Sequence, residues 1–106
     1  YLTILNPKPL MDETTIAVED LQKRRHVELE GRTLVGIYIH VCILVERLVT
    51  KTGMIREDSA TEAFVKEHGD FIEDIKASFG NIEKHYSIQI PDSEMKYIYS
   101  FIYRED

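Results

Sequence analysis

The sequence predicts an all-α domain, a compact bundle of four to five helices. Three observations carry this reading. Between Thr61 and His85, the residues Phe71, Ile72, Ile75, Phe79 and Ile82 follow Phe64 at offsets of 7, 8, 11, 15 and 18, which is the spacing of one helix face. The run from Leu34 to Val49 is almost wholly apolar, and it is too long for a strand, which rarely exceeds about ten residues. The remaining punctuation, at Gly31, Gly53 and Ser87–Pro91, leaves only short links between helical runs, as in a bundle of helices.

Taken in order, residues 1–11 carry Pro7 and Pro9, which disfavour a regular helix and favour extended geometry. This segment reads as a linker from a preceding domain, with Leu2, Ile4 and Leu5 available to pack on the domain of residues 12–106. Asp12 or Thr14 caps a first helix over about residues 14–30, with Val18, Leu21 and Leu29 facing inward and Gly31 ending it. A second helix runs from about Arg32 to Lys51. Its apolar residues surround nearly the whole circumference, so it is expected to be the central, most buried element. Gly53 marks the turn out. Gly69 is a point where the run from Thr61 to His85 breaks into a shorter and a longer helix, while Gly80 is tolerated within it at some cost. After the extended link Ser87-Ile88-Gln89-Ile90-Pro91, Asp92 caps a last helix through Tyr103 whose inner stripe is Met95, Ile98 and Ile102.

The 106 residues are enough for one domain with a core. The net charge is −6 and the pI about 5.2, which argues against direct contact with nucleic acid or an anionic membrane, since both need a basic surface. The one basic run, Lys23-Arg24-Arg25, is flanked by Glu19, Asp20, Glu28 and Glu30 and reads as a solvated helix face. Cys42 is the only cysteine, so a disulfide framework is excluded and a cytoplasmic location fits. The apolar stretch Leu34 to Val49 falls short of the roughly 20 residues that span a bilayer, and His40, Glu46 and Arg47 interrupt it. The abrupt start at Tyr1 reads as a piece of a longer protein.

Few residues are arranged for chemistry. There is no glycine-rich phosphate loop. His26, His40, His68 and His85 are scattered, and His40 and Cys42, two apart on a helix, point to different faces. No metal site and no cofactor are expected, and no constellation supports an enzyme. His40 stands out because it sits inside the apolar helix. Histidine titrates near physiological pH and offers a neutral nucleophile. Gly36, four residues earlier, is read as open space through which another molecule approaches. Arg47, seven residues later, leans back toward His40, because helical side chains point toward the N-terminus, and would support a phosphoryl group there. The competing reading is a core histidine with its ring nitrogens satisfied by neighbours.

Two blocks carry a resemblance to a known family: Ile39-His40-Val41 followed by Val45-Glu46-Arg47-Leu48, and the later Ile88-Gln89-Ile90-Pro91-Asp92-Ser93-Glu94-Met95-Lys96-Tyr97-Ile98. From about residue 12 onward the chain resembles a PRD, the phosphotransferase-system regulation domain of bacterial transcriptional regulators. The opening Leu5-Asn6-Pro7-Lys8-Pro9-Leu10 is similar to the entry of the C-terminal PRD in LevR-type, sigma-54-dependent activators of sugar-transport operons.

The resemblance implies an all-helical regulatory domain whose histidine accepts a phosphoryl group from a phosphotransferase-system donor protein. His40 occupies the place of the family's first phosphoacceptor. Two departures are visible. Antiterminator-type members carry Asp directly before that histidine, where this chain has Ile39. Many members carry a second histidine in the last helix, at a position matched here by Phe101. The implication is single-site phosphorylation at His40, with His68 and His85 as surface or helix-end residues. A homodimer is expected, because the second helix is apolar on more faces than so small a domain covers. The alternative is a structural dimerisation module without phosphoacceptor activity.

Overall fold

The computed structural model describes residues 7–50 and 59–103. Among the described residues six helices follow one another: α1 (Lys8–Arg25), α2 (Gly31–Thr50), α3 (Ser59–Glu67), α4 (Gly69–Ser78), α5 (Gly80–Tyr86) and α6 (Asp92–Ile102). Among the described residues there is no strand. The expected fold class is therefore observed, with one helix more than the four to five expected. The extra break falls at Phe79–Gly80. Phe79 is fully buried. Its N–H bonds to the Ile75 carbonyl at 2.8 Å and its carbonyl accepts from Glu83 N–H at 3.1 Å. The chain thus turns about one anchored ring whose own N–H and carbonyl stay bonded to the helices on either side, and Gly80, a weak helix former, follows it. His68 links α3 to α4 in the same way, accepting from Ile72 N–H and donating to the Phe64 carbonyl.

The first helix starts earlier than the prolines suggest. Pro7 is its N-cap residue and Pro9 lies within its first turn, where a missing N–H costs nothing because that donor has no partner in the helix. The extended geometry expected up to residue 11 therefore does not hold for Lys8–Met11. The same helix ends at Arg25, ahead of Gly31. His26 takes a left-handed conformation (φ 56°), and Val27 N–H bonds back to the Gln22 carbonyl at 3.0 Å, a helix-ending motif that glycine more often serves. Ser87 closes α5 likewise, with φ 53°. The link after it is pinned by the Glu83 carboxylate, which accepts from Ile90 N–H at 2.8 Å. Pro91 occupies the N-cap position of α6 and Asp92 is already helical. Leu2, Ile4, Leu5 and Gly53 lie outside the described residues.

The centre of the domain is α1 against α4. From α1 come Leu10, Ala17, Val18 and Leu21, and from α4 come Phe71 and Ile75, all at most 2 % exposed. Phe71 also makes T-shaped contacts with Tyr99 at 5.0 Å and Tyr103 at 6.2 Å at the end of α6, an arrangement worth about 0.5–1.5 kcal/mol per pair beyond burial. Arg25 is not on a solvated face. Its guanidinium donates to Asp70, Asp74 and the Tyr103 hydroxyl and lies 5.1 Å from the Phe71 ring centre, tying α1, α4 and α6 together. Arg24, by contrast, stays outside in a 2.6 Å pair with Asp20.

The second helix is not the most buried element. Its main neighbours are α1 and α6. Ile37, Val41, Leu44 and Val45 enter the core, while Val35, Ile39 and Ile43 remain 57, 56 and 48 % exposed. A helix apolar all round needs neighbours on every side, and this fold supplies them on about half. At 20 residues, α2 is also long and apolar enough to cross a membrane by length and composition. In the fold, one side of it is packed into the core.

Candidate functional site

The seam between α2 and α6 places the one candidate nucleophile. Along α2 the core takes Ile37, Val41 and Leu44, and the next face round carries Gly36 and His40 toward α6. Along α6 the core takes Met95 and Ile98. Glu94, Tyr97 and Phe101, spaced by three and four residues, form a second stripe that meets α2. The two helices run antiparallel, since Gly36 meets Phe101 while His40 meets Glu94.

The His40 Nε2 atom lies 2.8 Å from Glu94 Oε1. The imidazole is stacked on the Tyr97 ring, with centres 4.3 Å apart and planes within 18°, and the Phe101 ring stands 6.2 Å away. The side chains of His40 and Glu94 are 22 and 16 % exposed. The pair is thus shielded enough to keep its geometry and open enough for a reagent to reach the ring. A carboxylate on a histidine nitrogen fixes the ring's tautomer and orientation.

Gly36 does not provide an open flank. A Cβ built there would stand 2.8 Å from Phe101 Cε1, so the glycine is where α6 comes close to α2. Phe101 is thus a ring packed on α2. Arg47 is partly buried, and no hydrogen bond, ion pair or ring contact among the described residues joins it to His40. Seven residues of helix separate their backbones by about 10 Å. The first polar partner of His40 is therefore Glu94. The sequence alone does not assign Glu94 and Tyr97 to the site, and it marks Phe101 only through the resemblance. Their signal was the helical spacing of 94, 97 and 101.

The other histidines are placed differently. His68 packs its ring 4.9 Å from Phe64 and 4.4 Å from Tyr99. His85, 54 % exposed, pairs through Nδ1 with Glu13 at 2.7 Å. His26 is the exposed cap of α1. Among the described residues no group of three or more His, Cys, Asp or Glu side chains is placed to hold a metal ion.

Beside the site, on the outer face of α2, lies a groove of about 620 Å³ lined by Met11, Val35, Tyr38, Ile39, Cys42 and Ile43 among others. Burial pushes the Cys42 thiol pKa up, against a smaller opposing effect of the Thr14 hydroxyl.

A family model described as the PRD domain matches residues 15–105. No curated protein and no solved structure matches the chain. The match spans all of α2 through α6 and most of α1, and therefore both halves of the seam that holds His40. The chain belongs to the PRD family, whose domains place transcriptional regulators and antiterminators under phosphotransferase-system-dependent phosphorylation.

Proposed function

We propose that this domain is a non-catalytic, cytoplasmic phosphorylation sensor in a sigma-54-dependent, LevR-type regulator of sugar-transport operons, and that His40 is its phosphoacceptor. The observation that carries the reading is the shielded His40–Glu94 pair stacked on Tyr97. It is a nucleophile held in one orientation, partly open to a donor, at the junction of two helices. A phosphoryl group brings about 1.5 to 2 negative charges and three acceptor oxygens. Placed on this seam, it alters the balance between α2 and α6, or between α2 and whatever covers its outer face. Arg47, the cation on α2 nearest to His40 in sequence, is the reserve partner for that charge. The donor is a phosphorylated protein of the sugar phosphotransferase system.

The exposed stripe Val35, Ile39 and Ile43 supports homodimerisation through α2, since an uncovered apolar helix face of this kind marks an interaction surface. The same stripe favours the second reading, a dimerisation module in which His40 is only structural. Intact mass spectrometry after incubation with a phosphorylated phosphotransferase cascade separates them. The phosphoacceptor reading expects an acid-labile adduct on the wild type and none on His40→Ala. A wild type that takes no phosphate from an active cascade leaves the dimerisation reading.

A further inference from the structure

We propose that the phosphoryl group enters on Nδ1 of His40, and that Glu94 is the positioning residue that dictates this choice. The proposal rests on the reading of His40 as phosphoacceptor and deepens it to the level of the atom.

A neutral imidazole has one N–H and one lone pair, on different nitrogens. A carboxylate only accepts hydrogen bonds. With Glu94 Oε1 2.8 Å from Nε2, the ring hydrogen resides on Nε2 and the lone pair on Nδ1. The Tyr97 stack at 4.3 Å holds the ring plane in that arrangement. Nδ1 has no hydrogen-bond partner among the described residues, and it is not among the polar atoms sealed from solvent. The nitrogen that carries the nucleophilic lone pair is therefore the one that a donor can reach.

The step balances on that assignment. The Nδ1 lone pair attacks the phosphorus of a phosphohistidine on the donor protein. The donor's N–P bond breaks and its nitrogen keeps the pair. The product ring holds Nδ1–P and Nε2–H, and the positive charge that develops on it faces the Glu94 carboxylate. Entry at Nε2 would instead break the Glu94 bond and set a phosphoryl group against a carboxylate, two like charges in contact. Entry at Nδ1 leaves the bond between α2 and α6 in place, so the new charge is presented outward from the seam rather than forced into it.

Two nuclear magnetic resonance measurements on the 106-residue chain test this. Long-range proton–nitrogen correlations on the unphosphorylated protein, at a pH where the ring is neutral, read the tautomer without any donor. The expected result is Nε2–H for His40. Glu94→Gln, whose amide offers either an acceptor or a donor, is expected to give a mixture. Phosphorus resonances of the phosphorylated wild type then distinguish Nδ1-phosphohistidine, which is expected, from Nε2-phosphohistidine. An Nδ1–H tautomer or an Nε2-linked phosphate in the wild type overturns the proposal. Neither wild-type measurement depends on the variant folding. A His40 that shows the Nε2–H tautomer but never takes phosphate removes the phosphoacceptor reading and the proposal with it. A wrong tautomer with normal phosphate uptake removes the proposal alone.

Discussion

Gly36→Ala probes the approach of α6 to α2 more directly than any change at the histidine itself. The new methyl would stand 2.8 Å from Phe101 Cε1 and 3.5 Å from Cδ1 and Cζ. Favourable carbon contacts lie at about 3.5–4.0 Å, so the ring must withdraw by roughly 0.7 Å or more. Overpacking of this kind costs about 1–3 kcal/mol. Alanine is the better helix former by about 1 kcal/mol. The two effects leave a net loss of about 0–2 kcal/mol. Urea denaturation followed by circular dichroism reads this as a lower midpoint with an unchanged slope. Phe101→Leu in the same background is expected to restore part of the loss, because the pair is coupled through direct contact. The displaced ring also pushes on Tyr97, whose centre is 5.2 Å away, and the His40 ring resonances should move with it. A gain of about 1 kcal/mol, as at an open helix glycine, would refute the close approach and with it the placement of α6 against His40.

Further outcomes follow from the rest of the structure. Arg25→Ala removes the bonds to Asp70, Asp74 and Tyr103 and is expected to lower stability by about 1–3 kcal/mol without changing phosphate uptake, read by the same urea titration and mass assay. Asp20, held below its ordinary pKa of 3.8 first by the Arg24 hydrogen bond and then by Ser78, and Asp70, lowered mainly by Arg25, contribute stability that is complete above 3.8 and is lost as pH falls from there through their lower folded values. Asp20→Asn should flatten the fall of the urea midpoint in that acid range. Burial raises the Cys42 thiol pKa, so a maleimide or iodoacetamide should label the folded domain at mildly alkaline pH more slowly than the urea-unfolded chain. Equal rates would remove that reading.

How much was legible in the sequence depended on whether a residue's meaning is local. Met95 and Ile98 were readable as the inner stripe of α6, because apolar residues at helical spacing report burial wherever the helix lands. Ile102, the third member of that stripe, is only partly buried where α6 ends. Glu94, Tyr97 and Phe101 share the same periodicity, but one is charged and two are aromatic, so no hydrophobic period marks them. Their role appears only when α2 arrives with Gly36 and His40. Gly36 was ambiguous in kind. A missing Cβ means open space or close approach, and only the position of Phe101 decides between them. The second helix misled for a related reason, since apolar character on every face predicts burial, yet of the five other described helices only α1 and α6 are its main neighbours. The turn at Phe79–Gly80 was hidden because Phe79 kept the helical spacing of the core while the axis changed around it.

The central claim is that His40 is the residue the phosphotransferase system modifies. Fragmentation mapping of the phosphorylated wild-type chain, kept at neutral to alkaline pH throughout, tests it without perturbing the α2–α6 seam. The account predicts one acid-labile phosphoryl group, confined to the peptide that contains His40. Phosphate on His26, His68 or His85, or an acid-stable phosphate on a hydroxyl side chain, would contradict it.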